Sequence, residues 1–254
     1  MKFKVIASGS KGNCTYMECG DKSFLIDVGI SYQKIANSLK EIGKNPIDID
    51  GIFISHKHDD HIKGLASFIK KTNTKVFLTK ELIVDLKEII PKENIVRIPE
   101  ELQIGEIKIV LMPTSHDVKS YGFLIEYYDK SLVYITDTGY INRKFYQLTE
   151  NKNIYIIEAN HDEEMLMNGP YPYYLKQRVI SDVGHLSNRY TGKYLKKIIG
   201  TNTKYIFLAH LSEKNNTKEL ALSQVREELE ETEFNLEKIL IADQYIGTEV
   251  MEVL

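Results

Sequence analysis

No apolar run in this 254-residue sequence approaches the roughly 20 residues that a membrane span needs. A signal peptide is also expected to be missing. The chain opens on Met1-Lys2-Phe3-Lys4-Val5-Ile6, which reads as a strand and lacks a long apolar stretch with a small-residue cleavage site. Cytoplasmic residence is the expectation. Cysteine is scarce: Cys14 and Cys19 are too few for a disulfide framework or a four-thiolate zinc site. They read as buried or semi-buried thiols in a strand region. A basic excess is lacking too, and a net charge of −3 argues mildly against a strong nucleic-acid binder. The charge is uneven, however. Residues 213–238 carry eight Glu against four Lys or Arg, while basic residues gather at Lys63, Lys70 and Lys71 and again between Lys176 and Lys197. No linker, low-complexity tract or repeat interrupts the chain, so residues 1–254 are expected to form a single domain.

What is present is an alternation of short β-rich runs and helical patterns, which places the chain in the α/β class with mixed sheets. Lys2–Ala7, Thr15–Glu18 and Phe24–Asp27 read as strands. Ser31–Ile42 spaces Ile35, Leu39 and Ile42 as a helix does and stops at Gly43. A strand is expected at Gly51–Ser55, a helix at Ile62–Lys71, a strand at Lys75–Leu78 and a helix at Glu81–Ile90 ended by Pro91. Strands follow at Ile107–Met112, Tyr121–Tyr127, Leu132–Thr136, Ile154–Glu158 and Tyr205–Ala209, with the last near Ile239 and Val250. Helices are expected at Tyr173–Ile180, Ser187–Ile199 and Leu220–Leu229.

One segment carries chemistry by its spacing. Ser55-His56-Lys57-His58-Asp59-Asp60-His61 follows a buried strand and precedes a helix. Imidazoles two apart converge on one ion if the backbone turns, and Asp60 and His61 then open the next helix toward a neighbouring position. Imidazole with carboxylate suits Zn²⁺, Mn²⁺ or Fe²⁺ better than Ca²⁺ or Mg²⁺. A solvated charged loop is the bland alternative, but three of the chain's seven His fall within these few residues. Further candidate ligands sit at expected strand ends: His116 in Pro113-Thr114-Ser115-His116-Asp117, Asp137 in Thr136-Asp137-Thr138-Gly139 and His210 in Ala209-His210-Leu211-Ser212.

With these motifs the chain resembles the metallo-β-lactamase superfamily along essentially its full length. The resemblance implies a four-layer αββα sandwich and two divalent transition metals, Zn or Mn. By the family pattern His56, His58 and His116 hold the first ion, Asp60, His61 and His210 the second, and Asp137 bridges. Phe24-Leu25-Ile26-Asp27-Val28-Gly29 matches the family's early strand, where Asp27 accepts a hydrogen bond from a ligand imidazole.

The branch is read from other residues. His58, not Glu, at the second ligand position separates the chain from diiron flavoproteins. Neither cysteine is a ligand, unlike in the β-lactamases with a thiolate ligand. Asp137 and His210 are too close in sequence for the inserted domain of β-CASP nucleases, and the C-terminal helical domain of glyoxalase II is not expected. The remaining His lie in Glu158-Ala159-Asn160-His161-Asp162 and Gly184-His185-Leu186-Ser187-Asn188. Together with Gly9 to Asn13 and His210-Leu211-Ser212 followed by Asn215-Asn216, these motifs resemble the YycJ/WalJ group of small bacterial nucleases. The group is similar more distantly to tRNase Z, and by position His185 matches a catalytic histidine there.

The resemblance implies a DNA exonuclease, 5′ to 3′, in which a metal-bridged hydroxide attacks phosphorus. His185 suits the acid that protonates the leaving oxygen. His161, together with Asp60 as a carboxylate at the metals, joins it as a candidate catalytic residue. Ser8, Ser10, Asn13, Ser187, Asn188, Lys176 and Arg178 are candidate substrate contacts, with a helix cap or a solvated face as the plain alternative for several of them. A small-molecule hydrolase, such as a cyclic phosphodiesterase or lactonase, and an RNA-processing nuclease are the competing readings.

Overall fold

The computed structural model describes residues 1–253. Its contacts divide the chain into two compact units, one formed by residues 1–110 with 243–253 and the other by residues 111–242.

The first unit is built on β1 (Lys2–Ala7), β2 (Cys14–Cys19), β3 (Lys22–Ile26), β4 (Gly51–Phe53), β5 (Lys75–Leu78), β6 (Ile95–Arg97) and the closing β14 (Met251–Glu252). They form one sheet in the order β14-β1-β2-β3-β4-β5-β6. Neighbours are antiparallel from β14 to β3 and parallel from β3 to β6. Parallel neighbours need crossover connections. Here α1 (Tyr32–Glu41), the pair α2 (Asp59–Ile62) and α3 (Leu65–Thr72), and α4 (Lys80–Leu86) supply them. Ser31 and Thr79 cap α1 and α4, their side-chain oxygens accepting from Lys34 N and Leu82 N.

The second sheet contains β7 (Glu101–Ile104), β8 (Ile107–Pro113), β9 (Tyr121–Tyr127), β10 (Lys130–Ile135), β11 (Ile154–Glu158), β12 (Tyr205–Ala209) and β13 (Ile239–Ile241), in the order β13-β12-β11-β10-β9-β8-β7. From β10 to β13 the strands are parallel. The central ones read as near-continuous apolar runs because both faces are covered; β11 is buried at every position. The crossovers carry α5 (Tyr146–Thr149), α6 (Glu163–Asn168), α7 (Tyr173–Ile180), α8 (Asn188–Ile198) and α9 (Lys218–Leu229).

Most expected elements are present, and the differences have physical causes. The helix expected over Ile62–Lys71 is two helices. Gly64 interrupts it, because its N–H goes to Val28 O at 2.8 Å and a Cβ there would meet Ile30 O at 1.9 Å. The helix expected to reach Ile90 ends at Leu86, well before Pro91. Strands β6 and β7 and helices α5 and α6 escape the sequence reading because three to six residues are too few to show a period. Cys14 and Cys19 are both buried free thiols, as expected, and burial pushes the Cys19 thiol up to about 12. No helix among the described residues is long and apolar enough to cross a membrane.

Candidate metal centre

Strand ends carry the candidate ligands in both units. In open parallel sheets the carboxyl ends of strands are where side chains of successive loops gather. Asp27 follows β3, the His56–His61 segment follows β4, Asp137 follows β10, Glu158 ends β11 and His210 follows β12. Three of these residues hold left-handed backbone, Asp27 at φ 61°, Asp137 at 53° and His210 at 55°. Such φ values are uncommon for residues other than glycine and cluster at functional sites.

In the first unit the candidate ligand loop is braced by Asp27 and Asn13 from earlier in the chain. His56 Nε2 lies 3.1 Å from His58 Nδ1, so two ring nitrogens converge on one point. Asp27, fully buried, receives Ser55 N at 2.8 Å and the Ser55 hydroxyl at 2.8 Å. Its Oδ2 is 2.7 Å from His61 Nδ1. That contact fixes the ring and leaves Nε2 as the nitrogen available to an ion. Asp60 Oδ2 stands 3.4 Å from that Nε2. Asn13, fully buried, spans the loop from the side: its Nδ2 lies 3.3 Å from Asp60 Oδ2 and 3.0 Å from His61 Nε2. The Ser8 hydroxyl and Gly9 N donate to Asn13 Oδ1. Backbone packing is equally tight, since a Cβ on Gly29 would meet Asp60 O at 1.6 Å. Of the expected substrate contacts here, Ser8 and Asn13 are buried in this brace and Ser10 is exposed.

In the second unit the organising group is Glu158, which the sequence reading passed over. One of its oxygens, Oε1, is 2.8 Å from His185 Nδ1 and 3.0 Å from His210 Nδ1. The other receives Thr138 N at 3.0 Å and Leu186 N at 3.2 Å. Burial opposes its charge, yet His185 and His210 outweigh that and hold its carboxyl down to about 2. Asp137 Oδ1 is 3.5 Å from His210 Nδ1 and 3.7 Å from His185 Nδ1. Asp137, Glu158, His185 and His210 each present a donor atom within 4.8 Å of the others. His116 follows β8; its Nε2 is 3.3 Å from Asp117 Oδ1, and burial lowers its pKa.

Burial would favour a neutral His185, but the charge and hydrogen bond of Glu158, with Asp137 adding, raise its pKa. His161 is the opposite case. It is buried, its Nδ1 has no hydrogen-bond partner among the described residues, and burial pushes it down to about 4. The two histidine motifs are laid side by side by the backbone: Asn160 N donates to Leu186 O and Asn188 N to His161 O, both at 2.9 Å. His161, His185 and Ser187 consequently line one cavity of about 470 Å³. Ser187 caps α8, accepting from Tyr190 N, and donates to Glu163 Oε1 at 2.8 Å. Asn188 is fully buried and donates to Asn216 Oδ1 and Gln224 Oε1, while Asn216 returns a bond to Asn188. Asn160 donates to His210 O at 2.9 Å, which ties its motif to a candidate ligand. Lys176 donates to Met167 O, and Arg178 pairs with Asp117.

The donor set fits divalent transition metals. Neutral imidazoles turned by buried carboxylates on Nδ1, together with aspartates, are the ligands such ions prefer. The signal that would have found Glu158 is its place: it closes an otherwise apolar strand, as Asp137 and His210 follow theirs.

The chain is similar to known proteins over most of its length. The profile of the β-lactamase superfamily domain matches residues 22–210. Exodeoxyribonuclease WalJ of Streptococcus pneumoniae is 40 % identical over 230 residues, covering 87 % of this chain and 85 % of that protein. Exodeoxyribonuclease YycJ of Bacillus anthracis is 34 % identical over 242 residues, covering 93 % and 92 %. Among solved structures, the metallo-β-lactamase fold protein YhfI from Bacillus subtilis superposes with a TM-score of 0.73 at 17 % identity, over 97 % of this chain and 98 % of that one. That likeness shows the fold, the α/β metallo-β-lactamase fold expected from the sequence.

Proposed function

The chain belongs to the β-lactamase superfamily and to the group of the WalJ and YycJ exodeoxyribonucleases, and from that premise we propose that it is a metal-dependent phosphodiesterase that removes nucleotides from DNA ends. The observation that carries the reading is the Glu158–His185 pair beside His210. It offers an imidazole whose pKa is raised by a buried carboxylate, the kind of group that can protonate the departing oxygen of a nucleotide ester. The likeness to two exodeoxyribonucleases supports DNA as the substrate.

By the family's ligand order, His56, His58 and His116 would hold one ion and Asp60, His61 and His210 a second, with Asp137 as a further ligand; Zn²⁺ and Mn²⁺ would suit this set. Such ions, when bound, neutralise charge on a phosphodiester under attack and activate water. Asp27 and Glu158 keep the ligand rings in the coordinating tautomer. With Nδ1 of His185 held by Glu158, Nε2 is the nitrogen left to hand its proton to the leaving oxygen. His161 stays neutral in the same cavity and positions the substrate. The resemblance to the YycJ/WalJ group supports 5′-to-3′ action, and the cytoplasm is its setting.

Metal-loaded protein incubated with 5′- and 3′-labelled single- and double-stranded DNA and RNA tests this reading. A ladder of mononucleotide steps from the 5′ end of DNA is expected. Cleavage of RNA alone, or of neither polymer, rejects it.

A further inference from the structure

Helix α8 carries Tyr190, Lys193, Tyr194 and Lys197 at spacings i, i+3, i+4 and i+7, which places them on one face. The opposite side buries Thr191, Leu195 and Ile198, so the Tyr–Lys face has no role in the core. Tyr140, Arg143 and Tyr146, from the segment after β10, meet this face. Together they enclose a second cavity of about 430 Å³. Tyr140, Tyr190 and Tyr194 line both this cavity and the one that holds His161 and His185.

The two cavities differ in charge. Arg143, Lys193 and Lys197 line the second, and no carboxylate does. None of these three cations has an ion pair among the described residues. The first cavity instead carries Glu163 and Asp182. Lys193 sits 5.1 Å over the ring of Tyr190 and Lys197 5.6 Å over Tyr146. Tyr190 is 53 % exposed and Tyr140 39 %. Open aromatic faces interleaved with unpaired cations are what a single nucleic-acid strand recognises, because its bases stack on rings while its phosphates pair with cations. A duplex keeps its base faces covered by neighbouring pairs.

We propose that this face of α8 is the track for a single DNA strand. The terminal nucleotide enters the cavity at His185. The nucleotides behind it cross Tyr190 and Tyr194, and their phosphates lie in the Arg143–Lys193–Lys197 hollow. The proposal rests on the phosphodiesterase reading above and adds the direction in which the strand leaves the site.

Binding to a labelled, phosphorothioate-linked 12-mer tests it on Mn²⁺-loaded protein, with melting curves to confirm the fold. K193E/K197E is expected to raise Kd at least tenfold. It is also expected to reduce the slope of log Kd against log salt by about 1.4, as loss of two phosphate contacts to a single strand should. Tyr190→Ala is expected to raise Kd roughly 5- to 150-fold with little change of slope, the usual worth of one stacked base, and Tyr190→Phe to restore it. An unchanged Kd and slope in K193E/K197E overturns the proposal. So does an equal loss of affinity for a blunt duplex of the same length. Failure of the wild-type protein to cleave any nucleic acid would reject the nuclease reading, whereas the binding comparison needs no cleavage and decides the track by itself.

Discussion

Each unit has a buried carboxylate that holds a histidine ring by its Nδ1, Asp27 in one and Glu158 in the other, and the two reach differently. Asp27 receives Ser55 N, the Ser55 hydroxyl and His61 Nδ1 from one loop. Glu158 gathers groups from three places in the sequence: Thr138 N, then Leu186 N and His185, then His210. The first arrangement joins two chain segments 28 to 34 residues apart and needs only β3 and β4 to pair. The second exists only when β10, β11 and β12 are in register. Asp27 therefore orients one candidate ligand ring. Glu158 orients a candidate ligand and the candidate acid with the same oxygen.

Glu158→Gln should have the largest effect, because it removes the charge that both rings face. Metal affinity is expected to fall about 10- to 100-fold. The rate on DNA with saturating metal should fall by roughly 10²–10⁴, the worth of the acid it supports. Metal titration together with kcat at saturating metal checks both. A loss of affinity alone would reduce Glu158 to the same part as Asp27.

His185→Ala isolates the second of those losses. It should keep its metals by elemental analysis and lose about 10²–10⁴ in rate on DNA. On a p-nitrophenyl phosphodiester, whose leaving group departs without a proton, the loss should be much smaller. Equal losses on the two substrates would leave His185 as a positioning residue and remove the acid from the scheme.

Asp27→Asn should touch only the first. About 10- to 100-fold weaker metal binding is expected, with the ratio of rates on DNA and on the p-nitrophenyl ester kept at the wild-type value. A changed ratio would mean that the two carboxylates are not separable.

The smallest effect at neutral pH belongs to His161. Its pKa in the folded protein, about 4, lies below its usual 6.5 because it is buried. The unfolded chain thus binds the proton first as pH falls, and stability is lost between pH 6.5 and 4, with no contribution at higher pH. His161→Gln in chelator should flatten the fall of melting temperature over that window and leave pH 8 nearly unchanged. A parallel fall in both proteins would mean that the ring is protonated in the fold.

The amino-acid sequence by itself determined what is local. His56, His58, Asp60 and His61 are readable because their chemistry is packed into one turn between a strand and a helix. Asp27, Asp137 and His210 are readable because each follows an apolar run that can only be a buried strand. The helical periods of α1, α8 and α9 are readable because they extend over ten or more residues. Tertiary structure alone decided the groups whose partners lie far away. Glu158 looks like the polar end of a strand until the parallel register brings His185 and His210 to one of its oxygens. Asn13 looks like a turn residue until its amide reaches Asp60 and His61, 47 and 48 residues on. Asn188 and Asn216, 28 residues apart, form a reciprocal buried pair that no spacing rule announces. The physical reason is the same in each case. A buried polar group must find a partner, and the sequence states the need without stating which distant segment the fold will deliver to meet it.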